Sequence, residues 1–366
     1  MFNNIYKDKK VLVTGHTGFK GTWLTTWLLK LGANVVGMSK DIPTTPSMFE
    51  ELKIRGKIKH YQEDIRDLSK VSEIITCEKP DFLFHLAAQA IVSTSYISPI
   101  ETITSNVIGT ANILEALKEL NHKCTAIIIT SDKAYDNVEQ VWGYKEDDKM
   151  GGRDIYSGSK GAAELIIKSY FHSFFTNEGC NIKLAIGRAG NVIGGGDWAK
   201  DRIVVDAVVA WHQDEKVEIR SPEATRPWQH VLEPLSGYLN LGQKLYCDKK
   251  YNGEGFNFGP RAEQNRTVKE LLQDLSKYWE FDNSADAFTI TDNIPFHEAG
   301  LLKLNCDKAL ARLKWQATLD YQATIKFTSQ WYYQFYNHDK NVLEQTIQQI
   351  SNYEDLAKSQ KLAWTA

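Results

Sequence analysis

Short apolar runs alternate with segments of helical period through the first half of this chain. The runs are Lys10 to Thr14, Asn34 to Met38, Lys57 to Tyr61, Asp81 to Leu86, Thr125 to Thr130 and Lys183 to Ile186. Between them the pattern predicts helices beginning near Lys20, Leu68, Ile100 and Tyr156. Strands of this length separated by helices predict a doubly wound parallel sheet covered on both faces. After about Ala189 the pattern breaks into shorter pieces: a glycine cluster Gly194 to Gly196, a helix near Arg202 to His212, a polar loop Arg220 to Trp228, and helices near Leu232 to Tyr246 and Val268 to Tyr278. The expectation is an α/β protein in which residues 1–189 form the sheet domain and 190–337 mainly a smaller C-terminal α/β lobe that closes over it. Residues 338–366 make a polar, helix-prone tail to which the sequence gives no role.

The first strand runs into Gly15-His16-Thr17-Gly18-Phe19-Lys20-Gly21 and then an apolar-rich helix. Glycines at this spacing let the chain turn sharply, let a pyrophosphate approach the backbone, and let the helix pack closely on the strand with its N-terminal amides toward the anion. Strand, turn and helix in this order indicate a Rossmann-type dinucleotide site, although the G-x-x-G-x-x-G spacing meets the general fingerprint loosely. Ser39-Lys40-Asp41 after the second run leaves NAD against NADP open: an acidic residue there suits a free ribose, whereas Lys40 tolerates a phosphate.

Composition narrows the class. At 42% hydrophobic and 24% charged residues, the 366-residue chain reads as an ordinary globular protein with room for a sizeable core. A net charge of −3 gives no electrostatic case for nucleic acid or an anionic membrane. Cys77, Cys124, Cys180, Cys247 and Cys306 lie far apart without a C-x-x-C pair, which reads as reduced thiols, and neither a signal peptide nor a membrane span is evident. The cytoplasm is the default expectation, with no metal site.

Ligands in open α/β sheets sit beyond the carboxyl ends of the strands, so those ends hold the candidates. Asp64 and Ile65 follow the third run; Leu86, Ala87, Ala88 and Gln89 follow the fourth. Asn106, inside the apolar helix Ile100 to Leu120, needs a partner if buried, and could tie two strand ends together. The fifth run ends in Ser131-Asp132-Lys133, a hydroxyl, a carboxylate and an amine at the mouth of the sheet. Downstream, Tyr156 and Lys160 stand four apart at a helix start, hence on one face. An ammonium there stabilises a phenolate, drawing tyrosine from about 10 toward neutrality so that it can take a proton from an alcohol during hydride transfer.

Thr14 to Gly21, Leu86-Ala87-Ala88, Tyr156-x-x-x-Lys160 and Gly187-Arg188-Ala189-Gly190-Asn191 resemble the extended short-chain dehydrogenase/reductases that act on nucleotide sugars. Within that family, Gly15 to Gly21, Thr130 to Lys133, Gly194-Gly195-Gly196-Asp197-Trp198 and Arg226-Pro227-Trp228-Gln229-His230-Val231 are similar to the CDP-glucose 4,6-dehydratases. The likeness runs from about residue 8 to about residue 335.

The resemblance implies a redox-neutral reaction with tightly held NAD. Tyr156 would deprotonate the sugar C4 hydroxyl, Ser131 would bond the C4 oxygen, and Lys160 would bind the nicotinamide ribose. Asp132 would protonate the leaving C6 hydroxyl, while Lys133 either removes the C5 proton or stabilises the enolate. Cofactor contacts are expected from Gly15, Thr17, Gly18, Phe19, Lys20, Asp64, Ile65, Leu86, Ala87, Ala88, Gln89 and Asn106, and substrate contacts from Gln89, Asn191, Arg202, Arg226 and His230. Core packing suits Trp228. The Gly194 to Gly196 run would let the backbone pass close to the ligand, or serve only as a turn. Val205 and Phe256 stand where the family usually has proline and tryptophan, which bears on base recognition. Wide apolar faces on Ile100 to Leu120 and Ala162 to Phe175 imply a homodimer, or a tetramer, through paired helices. Other nucleotide sugars, a 4-epimerase, and a non-catalytic NAD-binding sensor remain open.

Overall fold

The computed structural model describes residues 1–261, 264–279, 281, 286–291, 301–338 and 341–366, so a few positions of the expected lobe and tail lie outside it. Its centre is a seven-stranded parallel sheet. Six strands are those of the apolar runs: β1 (Lys10–Thr14), β2 (Asn34–Ser39), β3 (Lys59–Gln62), β4 (Phe82–His85), β5 (Cys124–Ile129) and β6 (Ile182–Ala189). The seventh, Gly255–Phe258, pairs with β6, giving the order seventh–β6–β5–β4–β1–β2–β3. Its four residues lie in a stretch with no long apolar run, which is why periodicity did not reveal it. The chain therefore returns to the sheet after leaving it at Ala189.

Apolar side chains on both sheet faces explain the near-continuous hydrophobicity of the strands. One core packs Val11, Val13, Phe82, Phe84, Ile127 and Ala185 under α1 (Phe19–Lys30) and the helix Leu232–Cys247. The other packs Leu12, Val36, Leu83, Ile128 and Leu184 under the helices Leu68–Glu78, Gly109–Lys118 and Ile155–Tyr170.

Several expectations are corrected. The helix expected over Ile100 to Leu120 runs without interruption from Pro99 to Lys118, but its middle, Thr104–Ile108, is a wider π turn between Pro99–Ile103 and Gly109–Lys118. The polar loop Arg220 to Trp228 contains a strand, Thr225–Pro227, antiparallel to Asn265–Thr267. The glycine cluster packs against the protein itself: a Cβ on Gly195 would lie 2.0 Å from the Trp331 ring, and one on Gly196 would lie 2.6 Å from Met48 Sδ. Val205 and Phe256 are both buried, Phe256 completely, so these two departures from the family pattern concern the core.

The tail is built into the molecule. Its helix, Val342–Ser359, lies against α1, where Glu354 accepts hydrogen bonds from Trp27 Nε1 at 2.8 Å and Lys30 Nζ at 2.5 Å. Tyr353 donates to Glu233 Oε2 at 2.9 Å. Trp364 is fully buried, stacked on Phe2 and Tyr353 with ring centroids 5.1 and 5.8 Å away, and the Asn3 N–H donates to the Ala366 carbonyl. Among the described residues, no helix is long and apolar enough to cross a membrane, and no group of three or more His, Cys, Asp or Glu side chains could hold a metal ion.

Deleting a buried tryptophan costs both its transfer energy and a cavity. Trp364→Ala is therefore expected to lower the unfolding free energy by about 3–5 kcal/mol in urea titrations. A loss under about 1 kcal/mol would show the tail to be peripheral.

Candidate active site

The site begins at the turn between β1 and α1. Gly15 has a φ of +74°, in the left-handed region that a side chain opposes, and a Cβ on it would lie 2.7 Å from the Ala87 nitrogen. A Cβ on Gly21 would lie 2.0 Å from the Gly15 carbonyl oxygen. Glycine is thus required at both positions for β1, α1 and the end of β4 to meet. The helix N-cap is Gly18, with no side-chain acceptor and no acidic residue in the first turn. Its opening amides and Lys20 could hold an anion.

The adjacent strand ends are fixed by polar side chains. Thr14 Oγ1 bonds His85 Nδ1 at 2.7 Å and accepts from the Ala87 N–H, while His85 Nε2 lies 3.1 Å from Thr110 Oγ1. Burial holds His85 near 3, hence neutral at physiological pH. Leu86, Ala87, Ala88 and Gln89 follow as half-buried residues beside the Gly15 turn. Thr17 Oγ1 donates to the Asp41 carbonyl. At the β2 and β3 ends, Lys40 pairs with Glu101 at 2.9 Å and Asp41 at 3.7 Å, and Arg66 pairs with Asp64 at 2.6 Å. Ile65 is buried against Gly109, leaving space that only a glycine allows.

Beyond β5, Ser131 Oγ donates to Asp132 Oδ1 at 3.0 Å and accepts from the Lys133 N–H at 3.2 Å. The helix Ile155–Tyr170 starts at Asp154, whose carboxylate caps Ser157 N at 2.9 Å. That places Tyr156 and Lys160 in its first two turns, with Lys160 Nζ 5.9 Å from the Tyr156 ring centroid. Asp132, Lys133, Asn191, Arg226, Pro227 and Leu302 line one narrow pocket. Arg202 pairs with Asp197 at 3.2 Å.

Burial dominates the electrostatics. It raises Asp132 above its ordinary carboxylate value, opposed by Lys133, the Ser131 hydroxyl and Lys20. It lowers Lys160 to about 8, with Lys20 adding to the effect, and lowers Lys20 itself to about 8, with Arg202 adding to it. The expected drop of Tyr156 toward neutrality is not found. Burial pushes its phenol up to about 12, with Asp132 adding to the rise, while the Ser131 hydroxyl and Arg202 act against it.

Two sequence candidates occupy other positions. Asn106 is buried with its amide committed: Oδ1 accepts from the Gln89 N–H at 2.8 Å, and Nδ2 donates to the Gln89 carbonyl and to Ser159 Oγ. It ties the end of β4 to the Tyr156 helix. His230 is fully buried, edge-on to Trp23 and Phe327, with Nδ1 accepting from the Leu232 N–H; it forms an inner wall behind Gly194 instead of lining the pocket of Asp132 and Asn191. Trp228 is in the core as expected, its indole donating to the Arg266 carbonyl. Sequence reasoning missed the proximity of Lys20 to Asp132, which joins distant segments that no periodicity links, and the Asp197–Arg202 pair, which is close in sequence but depends on the turn between its two members.

Residues 12–328 match the family model described as GDP-mannose 4,6 dehydratase. The chain belongs to this family. Within it, the chain is 45% identical over 332 residues to the CDP-glucose 4,6-dehydratase of Salmonella typhimurium, covering 90% of this chain and 92% of that one. The CDP-paratose 2-epimerase of Salmonella typhi is 27% identical, with 75% and 85% covered. Two solved structures share the family fold. UDP-glucose 4-epimerase from Thermotoga maritima has a TM-score of 0.76 at 22% identity, covering 89% of this chain and 99% of that one. The dTDP-glucose 4,6-dehydratase DesIV from Streptomyces venezuelae, solved with NAD and TYD bound, has a TM-score of 0.75 at 17% identity, covering 89% and 97%.

A carboxyl raised by burial subtracts stability wherever it is ionised in the folded protein, that is, increasingly as pH rises above its ordinary value of 3.8. Asp132→Asn is accordingly expected to raise the thermal midpoint at neutral pH, by an increment that shrinks as the pH falls toward the carboxylate range. An unchanged midpoint at neutral pH would mean that Lys133 and Lys20 fully offset the burial.

Proposed function

We propose that the protein is an NAD-dependent dehydratase that converts CDP-glucose to CDP-4-dehydro-6-deoxyglucose. The observation that carries this reading is the convergence of two sets of groups on one buried site: Tyr156 and Lys160 from a helix start, and Ser131, Asp132 and Lys133 from the end of β5. A dehydrogenase needs Tyr156, Lys160 and the Ser131 hydroxyl, and has no need of Asp132 beside Lys133. Elimination of water needs an acid, and Asp132, whose carboxyl burial keeps protonated to higher pH, suits that role. The 45% identity to the Salmonella enzyme over nearly the whole chain supports CDP-glucose as the substrate.

The residues fit NAD. The opening amides of α1 and Lys20 would hold the diphosphate, and Asp41, Asp64 and Glu101, which outnumber the Lys40 and Arg66 they pair with, would disfavour a further phosphate on the adenosine ribose. When bound, NAD would supply the hydride acceptor for C4 and the hydride donor for C6. Tyr156 removes the C4 hydroxyl proton, held by Lys160 and by Ser131 at the developing carbonyl oxygen. The C4 ketone acidifies C5–H, Lys133 takes that proton, and Asp132 donates one to the departing C6 hydroxyl, which leaves as water; as the hydride returns to C6, a solvent-exchanged proton from Lys133 goes back to C5. Asn191, Arg202 and Arg226 hold the substrate diphosphate at the pocket mouth. Ile97, Ile100, Ile108, Leu165 and Phe174 are exposed on neighbouring helices, and we infer that a second copy of the chain covers them in a cytoplasmic homodimer.

Incubation with CDP-glucose in deuterated water, without added NAD, is expected to give a 4-keto-6-deoxy sugar carrying deuterium at C5 by NMR. Conversion of dTDP-, GDP- or UDP-glucose instead would move the nucleotide assignment and leave the chemistry standing. No conversion of any of them, even with NAD supplied, would overturn the enzyme reading. Tyr156→Phe is expected to lower kcat by about 10²–10⁴-fold, the usual contribution of a positioned general base, with no reduced nicotinamide detectable by absorbance.

A further inference from the structure

The segment bearing Ser131, Asp132 and Lys133 is gripped at both ends by one buried ion pair. Glu164 and Arg188 are essentially inaccessible, and the pair is bidentate: Nε to Oε1 at 2.7 Å and Nη2 to Oε2 at 2.9 Å. Glu164 follows Tyr156 and Lys160 at four-residue intervals, on the same face of the helix Ile155–Tyr170. On one side Thr130 Oγ1, immediately before Ser131, donates to Glu164 Oε1 at 2.5 Å. On the other, Arg188 Nη1 donates to the hydroxyl of Tyr135, two residues after Lys133, at 2.6 Å, and that hydroxyl donates to Asn257 Oδ1 at 2.8 Å.

Stability does not account for this arrangement. A buried ion pair can often be exchanged for well-packed apolar residues at no loss. What the charged pair supplies is direction, because two parallel bonds and two branching ones fix the distance between three elements. We propose that Glu164 and Arg188 are positioning residues, which set the acid–base segment Ser131 to Lys133 in register with Tyr156 and Lys160 through Thr130 and Tyr135. The proposal rests on the dehydratase reading above. Elimination depends on both sets of groups acting on one sugar in turn, and a displacement of about 1 Å at such a site can cost 10²-fold in rate. Loosening the brace leaves C4 oxidation less affected than water loss.

Removing Glu164 or Arg188 would strand a buried charge, so the test alters the two neighbours instead. Thr130→Val and Tyr135→Phe each remove one hydroxyl and leave the ion pair intact. In both, bound NAD is expected near wild type and KM for CDP-glucose within about twofold, with the thermal midpoint lowered by a few degrees because a buried partner is left short of a hydrogen bond. The expected loss is in kcat, about tenfold, with reduced nicotinamide accumulating during turnover because elimination lags hydride transfer. Thr130→Ser, which restores the hydroxyl, is expected to recover both kcat and the wild-type fraction of reduced cofactor. Wild-type kcat and reduced-cofactor fraction in both variants, or a kcat loss that merely follows lost NAD or lost folded protein, would overturn the proposal. Wild-type protein in the same assay separates the two claims: if it converts only another nucleotide sugar, the substrate assignment falls and the variants are compared on that sugar.

Discussion

Charge withdrawn from water at one edge of the sheet is the constraint on which the site depends. Lys20, Asp132, Tyr156 and Lys160 are all shifted, and burial is the largest cause in each case. Every shift favours the neutral form, which keeps the carboxyl and the phenol protonated to higher pH and makes the ammonium groups readier to give up their charge. Holding such groups together requires rigid surroundings, and the parallel sheet supplies them. Its strand ends converge, and its helices start, where the shifted groups lie.

The surroundings are themselves polar and cross-linked by hydrogen bonds. Thr14, His85 and Thr110 link β1, β4 and a covering helix. Asn106 links the end of β4 to the helix of Tyr156, and Glu164 with Arg188 links that helix to β5 and β6. Each network spans two or more elements, so the relative placement of the catalytic strand ends follows from hydrogen-bond geometry as well as from packing.

The alternating pattern made the first six strands and most helices legible in the sequence, because strands buried on both faces and amphipathic helices each carry their own period. Gly255–Phe258 escaped because it is short, and its membership of the sheet depends on a partner far away in the chain. At the site, Gly15 and Gly21 could be read from local backbone demands, and Tyr156 with Lys160 from helical spacing. The tie made by Asn106 could be anticipated from a polar group in an apolar helix, but its partner Ser159, the burial of His230 behind Gly194 and the raised Tyr156 phenol could not be read. Each is set by neighbours that come together only in the folded chain, and local spacing carries no information about desolvation.

The contact between the two chain ends has a consequence for the order of assembly. Trp27, in the first long helix, is enclosed by Glu354, Tyr353 and Trp364, which belong to the closing stretch of the polypeptide. During synthesis that helix must wait for residues still to emerge from the ribosome, with an indole facing solvent or a chaperone in the meantime. The glycine turn at its head thus gains this support only once residues 353–364 have been made and have packed against Trp27.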